Sequence, residues 1–573
     1  MLGYVRANWI VVVPVAVVAY LILIPIIYLV MLSFHSGTIV SPGEWTLHNY
    51  IRAIHNKAFL GALGNTIFIA GVGSLGTVLI SFFFAYLIER TDVSWRNLAW
   101  IALLLPAAIP GLFKTLGLTL ALDPHTGWIN LAVRALLDPF GVHLARGPFN
   151  IYSMGGLFFL DILHGSLVVF FMLVGPLRMM DPALEEAASV SGVNYTGTLR
   201  RVTIPILFPA LLASYIYAFI SSMESFESAL VAGLPAHIFL LSTVIYYVVV
   251  VQAPIDYALG ATFSVLYMAV MVLLILYYQR AVGVGQRYAI ITGKGYRPKR
   301  ISLGRWQWLA LGFVVIYLVL HLVLPLVVLL YASFLPRLRP FSMAAFHEMS
   351  LGVYKEVVTH PGFVRDTVNT LLLALGAPTV AMVLALAVSW IIVRRKNLLQ
   401  RTLLDTLVFL PHAVPGVVMS IALIIVYLTP PFRFAHINGT LVIIILALVT
   451  SLLPLTTRIM NGAVIQIHRE LEEACYVSGV SRFTAVVRVI LPLLMPAFLG
   501  GWVLAATISM KAFSAPLLLG TRKSQVLAVR MWNYWDQGAV PQMAAVGVLF
   551  VLMSAPVAML ARRFVMRYGH LQH

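Results

Sequence analysis

The chain has 573 residues, 61% of them hydrophobic and only 10% charged, with a mean hydropathy of +0.95. Soluble domains carry roughly 25% charged residues, so a soluble enzyme or binding module is excluded and a polytopic membrane protein is indicated. The net charge of +18 does not mark a nucleic-acid binder, because the basic residues collect in the loops on one side of the apolar runs.

The first apolar run, residues 9–32, is too long for a signal-peptide core and lacks a small-x-small cleavage site. It is expected to remain as a first span. Runs of membrane length follow near 64–88, 97–121, 152–176, 203–222 and 259–278. A second set lies near 307–333, 370–393, 403–428, 438–457, 495–510 and 542–561. About twelve transmembrane helices put both termini on one face. Well over half of the 38 Lys and Arg lie in loops on that face, most densely at Arg280, Arg287, Lys294, Arg297, Lys299, Arg300 and Arg305. The excess of positive charge assigns that face, and both termini, to the cytoplasm.

The chain repeats itself. Asp181-Pro-Ala-Leu-Glu-Glu-Ala-Ala-Ser-Val-Ser-Gly192 recurs as His468-Arg-Glu-Leu-Glu-Glu-Ala-Cys-Tyr-Val-Ser-Gly479, and Pro205 recurs as Pro492, all at an offset of 287. Asn65-Thr66 matches Asn369-Thr370, and Leu105-Pro-Ala-Ala-Ile-Pro110 matches Leu410-Pro-His-Ala-Val-Pro415. The halves are read as 1–285 and 307–573, joined by a basic linker at 286–306 that is rich in glycine. Six spans per half give both halves the same orientation. The expected fold is all-α, two parallel six-helix repeats about an axis along the membrane normal.

The repeated polar segments, 181–205 and 468–492, fall on the cytoplasmic side. Asp181 suits an N-cap and Pro182 the first helical position, Glu185 and Glu186 favour the positive end of the helix, and Ala187 keeps one face small. Gly192 permits the left-handed turn that ends a helix, and Pro205 can start the next span. The product is a short helix, a glycine turn and a helix entering the membrane, a shape suited to a cleft on a soluble partner.

Glu-Ala-Ala, three residues, Gly, nine residues, then aliphatic-x-aliphatic-Pro resembles the signature of permease subunits of bacterial ATP-binding-cassette importers. The second copy departs at Cys475, where that family has Ala. The resemblance covers both halves and implies the type I importer permease fold in the inner membrane. It implies that Glu186, Ala187, Gly192 and Pro205, with Glu473, Ala474, Gly479 and Pro492, couple the permease to two copies of a cytoplasmic ATPase. A periplasmic binding protein is the other implied partner. No Walker-type phosphate loop occurs, since Gly293-Lys294-Gly295 lacks the upstream glycine and the hydroxyl. The chain is therefore expected to hold no cofactor and no catalytic or metal site of its own, with ATP and Mg bound by the partner. A single fused chain, with strings such as Ile88-Glu-Arg-Thr-Asp92 and Gly127-Trp-Ile-Asn130, looks closest to the ferric-iron permeases. Thiamine, polyamines, phosphonates and sugar phosphates are the alternative cargoes. A secondary transporter is the alternative class; it would lack the coupling motif.

Ionisable groups inside spans default to functional candidates. Asp161 and His164 sit at i and i+3 in the fourth span. Tyr215 and Tyr217 lie two apart in the fifth, so at most one can face a central pathway. Glu224 and Glu227 follow that span, and the 287 offset places Lys511 opposite Glu224 in the second half.

Overall fold

The computed structural model describes residues 2–39, 41, 43–286, 302–394, 398–479 and 481–569. Most of the basic linker, including Arg287, Lys294, Arg297, Lys299 and Arg300, lies outside the described residues. Among the described residues every regular element is helical, and the only extended pairings are the isolated bridges His35–Trp45 and Gly439–Gly520. Among the described residues nine helices are long and apolar enough to cross a membrane, or up to 12 if each sharply bent pair forms one span.

Two runs read from the sequence as single spans are broken. Arg96–Ala107 meets Gly111–Ala121 at 103°, and Leu399–Ala413 meets Gly416–Leu428 at the same 103°. The cause lies in the repeated prolines. Pro110 and Pro415 have no N–H to donate and force the preceding residue out of the helical region, and each then stands at the N-cap of the second arm (φ −56° and −53°). A third bent pair, Ala229–Ala236 with Leu241–Val251 at 78°, lies between the fifth and sixth apolar runs of the sequence. The run expected at 542–561 falls in the helix Val540–Gly569, whose apolar part is Val540–Pro556.

The chain packs as two compact units, one of Met1–Ile54, Ile245–Met268 and Ser350–His573, the other of His55–Val244 and Ala269–Met349. In the first unit, Val18 and Ile22 of the N-terminal helix are fully buried against Val388, Ile392 and Leu453. In the second, Val314 and Tyr317 of the seventh span join the core built on Phe84, Leu160 and Phe170. Each unit thus takes its first membrane helix from the other sequence half. Helices in lipid gain by close packing rather than by leaving water. At Gly117 a Cβ would come within 2.6 Å of Pro325, so the two backbones meet directly.

Candidate coupling loops and polar groups within the spans

In the second unit, the Asp181 carboxylate accepts from the Ala183 N–H at 2.9 Å and caps the helix Pro182–Val190. The far end closes with a paired turn. The Val193 N–H donates to the Ala188 carbonyl and the Gly192 N–H to the Ser189 carbonyl, both at 3.0 Å. Gly192 adopts φ +78° there, and nothing lies within 4 Å of the Cβ it lacks. Backbone conformation, rather than space, requires the glycine. Asn194 then caps Tyr195–Thr198, accepting from Gly197 N–H at 2.9 Å. A wide turn over Leu199–Thr203 leads into the helix Ile204–Met223. Pro205 explains the wide turn, because without an N–H it cannot serve the carbonyl four residues back.

Of the adjacent glutamates, Glu185 turns inward. It accepts from Thr203 Oγ1 at 2.7 Å and lies 3.5 Å from Arg90, whose other guanidinium nitrogen donates to the Met180 carbonyl at 3.1 Å. Glu186 and Ala187 point outward and are exposed. The exposed face also carries apolar side chains that the sequence reading missed, Leu184 (41% exposed) and Val190 (90%).

In the first unit the helix Arg469–Val477 repeats this design. Gly479 again has φ +78°, and Glu473 and Ala474 are exposed. Arg394 takes the place of Arg90, donating to the Ile467 carbonyl at 2.8 Å. A second wide turn, Val486–Ile490, precedes Pro492. Leu471 (45% exposed) and Val477 (90%) stand at the positions of Leu184 and Val190. Cys475 is half-buried.

The two polar loops share the left-handed glycine and the exposed aliphatic pair. Residues 379–570 match the family model described as binding-protein-dependent transport system inner membrane component. That stretch is similar to the membrane components of such transport systems.

Similar proteins extend the match over most of the chain. The ferric transport system permease protein FbpB of Actinobacillus pleuropneumoniae is 26% identical over 554 residues, 94% of this chain and 76% of that protein. The putative ferric transport system permease protein FbpB 1 of Haemophilus influenzae is 26% identical over 530 residues, 90% of this chain and 78% of that one. Among solved structures, a bacterial ABC transporter involved in the import of the acidic polysaccharide alginate matches with a TM-score of 0.37 and 18% identity. That alignment covers 46% of this chain and 97% of the other.

The candidate pathway residues have separate surroundings. Asp161 and His164 share a helix face but turn to different partners. Asp161 accepts from Ser222 Oγ at 2.8 Å and fills the space beside Gly73, which has no room for a Cβ. His164 is exposed, its ring 6.4 Å from that of His321. Tyr215 donates to the Gly71 carbonyl at 3.4 Å and Tyr217 is half-buried. Glu224 and Lys511 each cap the C-terminus of a fifth-span helix, Ile204–Met223 and Leu491–Met510, and Glu224 is exposed. The Glu227 carboxylate packs against Gly111, and Ser514 packs against the matching Gly416.

The structure adds a buried chain of polar groups in the second unit. Lys114 Nζ lies 3.0 Å from His321 Nε2, His321 Nδ1 lies 3.0 Å from the Tyr317 hydroxyl, and Tyr317 bonds to Ser166. A charged Lys114 donates, so Nε2 accepts and Nδ1–H donates to Tyr317; Ser166 Oγ ends the chain on the Leu163 carbonyl at 3.1 Å. Lysine and histidine inside two apolar runs were the available sequence signal, but their meeting depends on the seventh span packing in this unit. Among the described residues no group of three or more His, Cys, Asp or Glu could hold a metal ion.

Proposed function

We propose that the chain is a membrane-spanning component of an ATP-binding-cassette importer, moving ferric iron delivered by an extracytoplasmic binding protein. Two copies of a cytoplasmic ATPase seat on it, one at 181–205 and one at 468–492. Both termini then face the cytoplasm. The observation that carries this reading is the duplicated exposed face: Glu186, Leu184 and Val190 on one helix, Glu473, Leu471 and Val477 on the other. An aliphatic side chain that is 90% exposed at the tip of a rigidly capped helix is unfavourable in water and suits a hydrophobic cleft. The ferric cargo rests on the relatives that span most of the chain.

The mechanism follows from rigidity. The inward Glu185, held by Thr203 and near Arg90, and the anchored Met180 carbonyl tie the short helix to the ends of the second, fourth and fifth spans. Movement of a docked ATPase is thereby passed to those spans as a body. The test is uptake of radiolabelled ferric iron by cells carrying Glu186→Lys or Glu473→Lys. The expected result is loss of uptake in either variant and loss of ATPase co-purification in the double variant, at normal membrane levels of the permease. Unchanged co-purification in the double variant would refute the docking role, and uptake of a different solute with no iron uptake would remove the cargo while leaving the docking.

A further inference from the structure

At the end of the first unit opposite its coupling loop lies a cavity of about 850 Å³. It opens beside the start of the helix Phe363–Arg394, whose 32 residues span roughly 48 Å from the Arg394 end that anchors the coupling loop. Its lining includes Arg365, Arg522 and Arg530, with Thr521, Gln525 and Asn533, and no Asp or Glu.

Arg530 is held firmly. Its Nε and Nη2 each lie 2.7 Å from Asp366 Oδ2, and Nη1 lies 3.3 Å from the Tyr534 hydroxyl and 3.4 Å from His360 Nδ1. That His360 nitrogen also accepts from the Gly362 N–H at 3.2 Å. The Arg530 side chain is 7% exposed and Asp366 is fully buried. Arg365 reaches the other Asp366 oxygen at 3.4 Å yet remains 42% exposed, and Arg522 is exposed. The Asp366 carboxylate thus faces two guanidinium groups, and Arg522 adds a third positive charge to the cavity wall.

The other unit shows that the fold does not need this cluster. There Thr66 Oγ1 accepts from Leu241 N–H at 2.8 Å, as Thr370 Oγ1 accepts from Leu527 N–H at 3.0 Å. That shared bond fixes the register. Asp366 then corresponds to Ala62 and Arg530 to Val244, both buried, and Arg365 corresponds to Gly61. The same junction closes with two apolar side chains. A buried ion pair is commonly no more stabilising than such an apolar pair, so packing does not account for the charges. A concave cavity of ligand size with converging guanidinium groups does, because the planar fork matches carboxylate and phosphate oxygens.

We propose that this cavity binds a small water-soluble oxyanion, a carboxylate or a phosphate, on Arg365, Arg522 and Arg530. The rim arginines capture the anion and the buried Arg530, fixed by Asp366, orients it. An anion held here is independent of which cargo the transport domain moves.

The test uses the full chain purified in a neutral detergent and titrated by calorimetry with citrate and with inorganic phosphate. Two variants are compared: Arg365→Ala with Arg522→Ala, which removes the rim, and Asp366→Ala with Arg530→Val, which installs the apolar pair of the other unit. Saturable binding of at least one anion to the native chain, weakened about tenfold or more in both variants, is the expected result. The anion should also raise the thermal unfolding temperature of the native chain alone. No saturable binding, or equal binding by the rim variant, overturns the proposal. So does occupancy only by phosphatidylglycerol in nanodiscs, which would make the site a lipid contact. Loss of binding-protein capture in the rim variant without any anion binding would overturn it as well, making the surface a protein-docking one.

Discussion

At the scale of single residues, the helices Pro182–Val190 and Arg469–Val477 owe their shape to a few residues with separate duties. Gly192 and Gly479 take φ +78° with open space around them, so substitution acts through strain alone. Gly192→Ala or Gly479→Ala is expected to cost about 1–2 kcal/mol at the turn, read as faster amide exchange over 188–193 or 475–480 with membrane expression unchanged. On the proposed docking, Val190 and Val477, each 90% exposed, contribute little to the free chain and much to the complex. Burying an aliphatic side chain is worth roughly 1.5–3 kcal/mol, so Val190→Asp should weaken ATPase binding at that loop at least ~10-fold in a pull-down titration. Its effect on the unfolding temperature of the permease alone should be negligible. The glycines, Glu186 and Glu473 were legible from their spacing. The valines were not, because in a chain that is 61% hydrophobic an exposed aliphatic residue looks like any other. Asp161 was legible as an ionisable group in a span, but its partners Ser222 and Gly73 come from other helices.

At the scale of elements, proline placement governs much of what departs from straight spans. Wide turns at Leu199–Thr203, Ala229–Gly233, Val319–Val323 and Val486–Ile490 are each followed two residues later by Pro205, Pro235, Pro325 or Pro492. Each extra residue in such a turn rotates what precedes it by ~100° relative to the helix that follows. Pro205→Ala should therefore let the helix regularise and turn the coupling segment away from its seat. The expected result is a folded permease at normal levels whose transport falls several-fold, with ATP hydrolysis no longer stimulated by the loaded binding protein. Retained stimulation would separate the proline from coupling. The sequence disclosed the helices and their repeat, since apolar length and period are local properties. It did not disclose the 103° breaks at Pro106–Pro110 and Pro411–Pro415, because a broken apolar run has the same composition as a straight one.

At the scale of the whole molecule, sequence halves and packed units differ. The helix Leu2–Ser33 buries Val18 and Ile22 in the unit that contains Ser350–His573. Deleting residues 2–33 should accordingly open the later part of the chain first, seen as new protease cuts between 363 and 466 before any between 57 and 179. The orientation inferred from basic residues makes a further prediction for the half-buried Cys475. A membrane-impermeant maleimide should label it in inverted vesicles and leave it unmodified in intact cells, and the reverse pattern would invert the topology. The central claim is that each loop seats one ATPase, and the stoichiometry of the purified complex tests it most directly. Native mass spectrometry should find two ATPase subunits per permease, one in either Val190→Asp or Val477→Asp, and none in the double variant. Two subunits retained on the double variant would contradict the account.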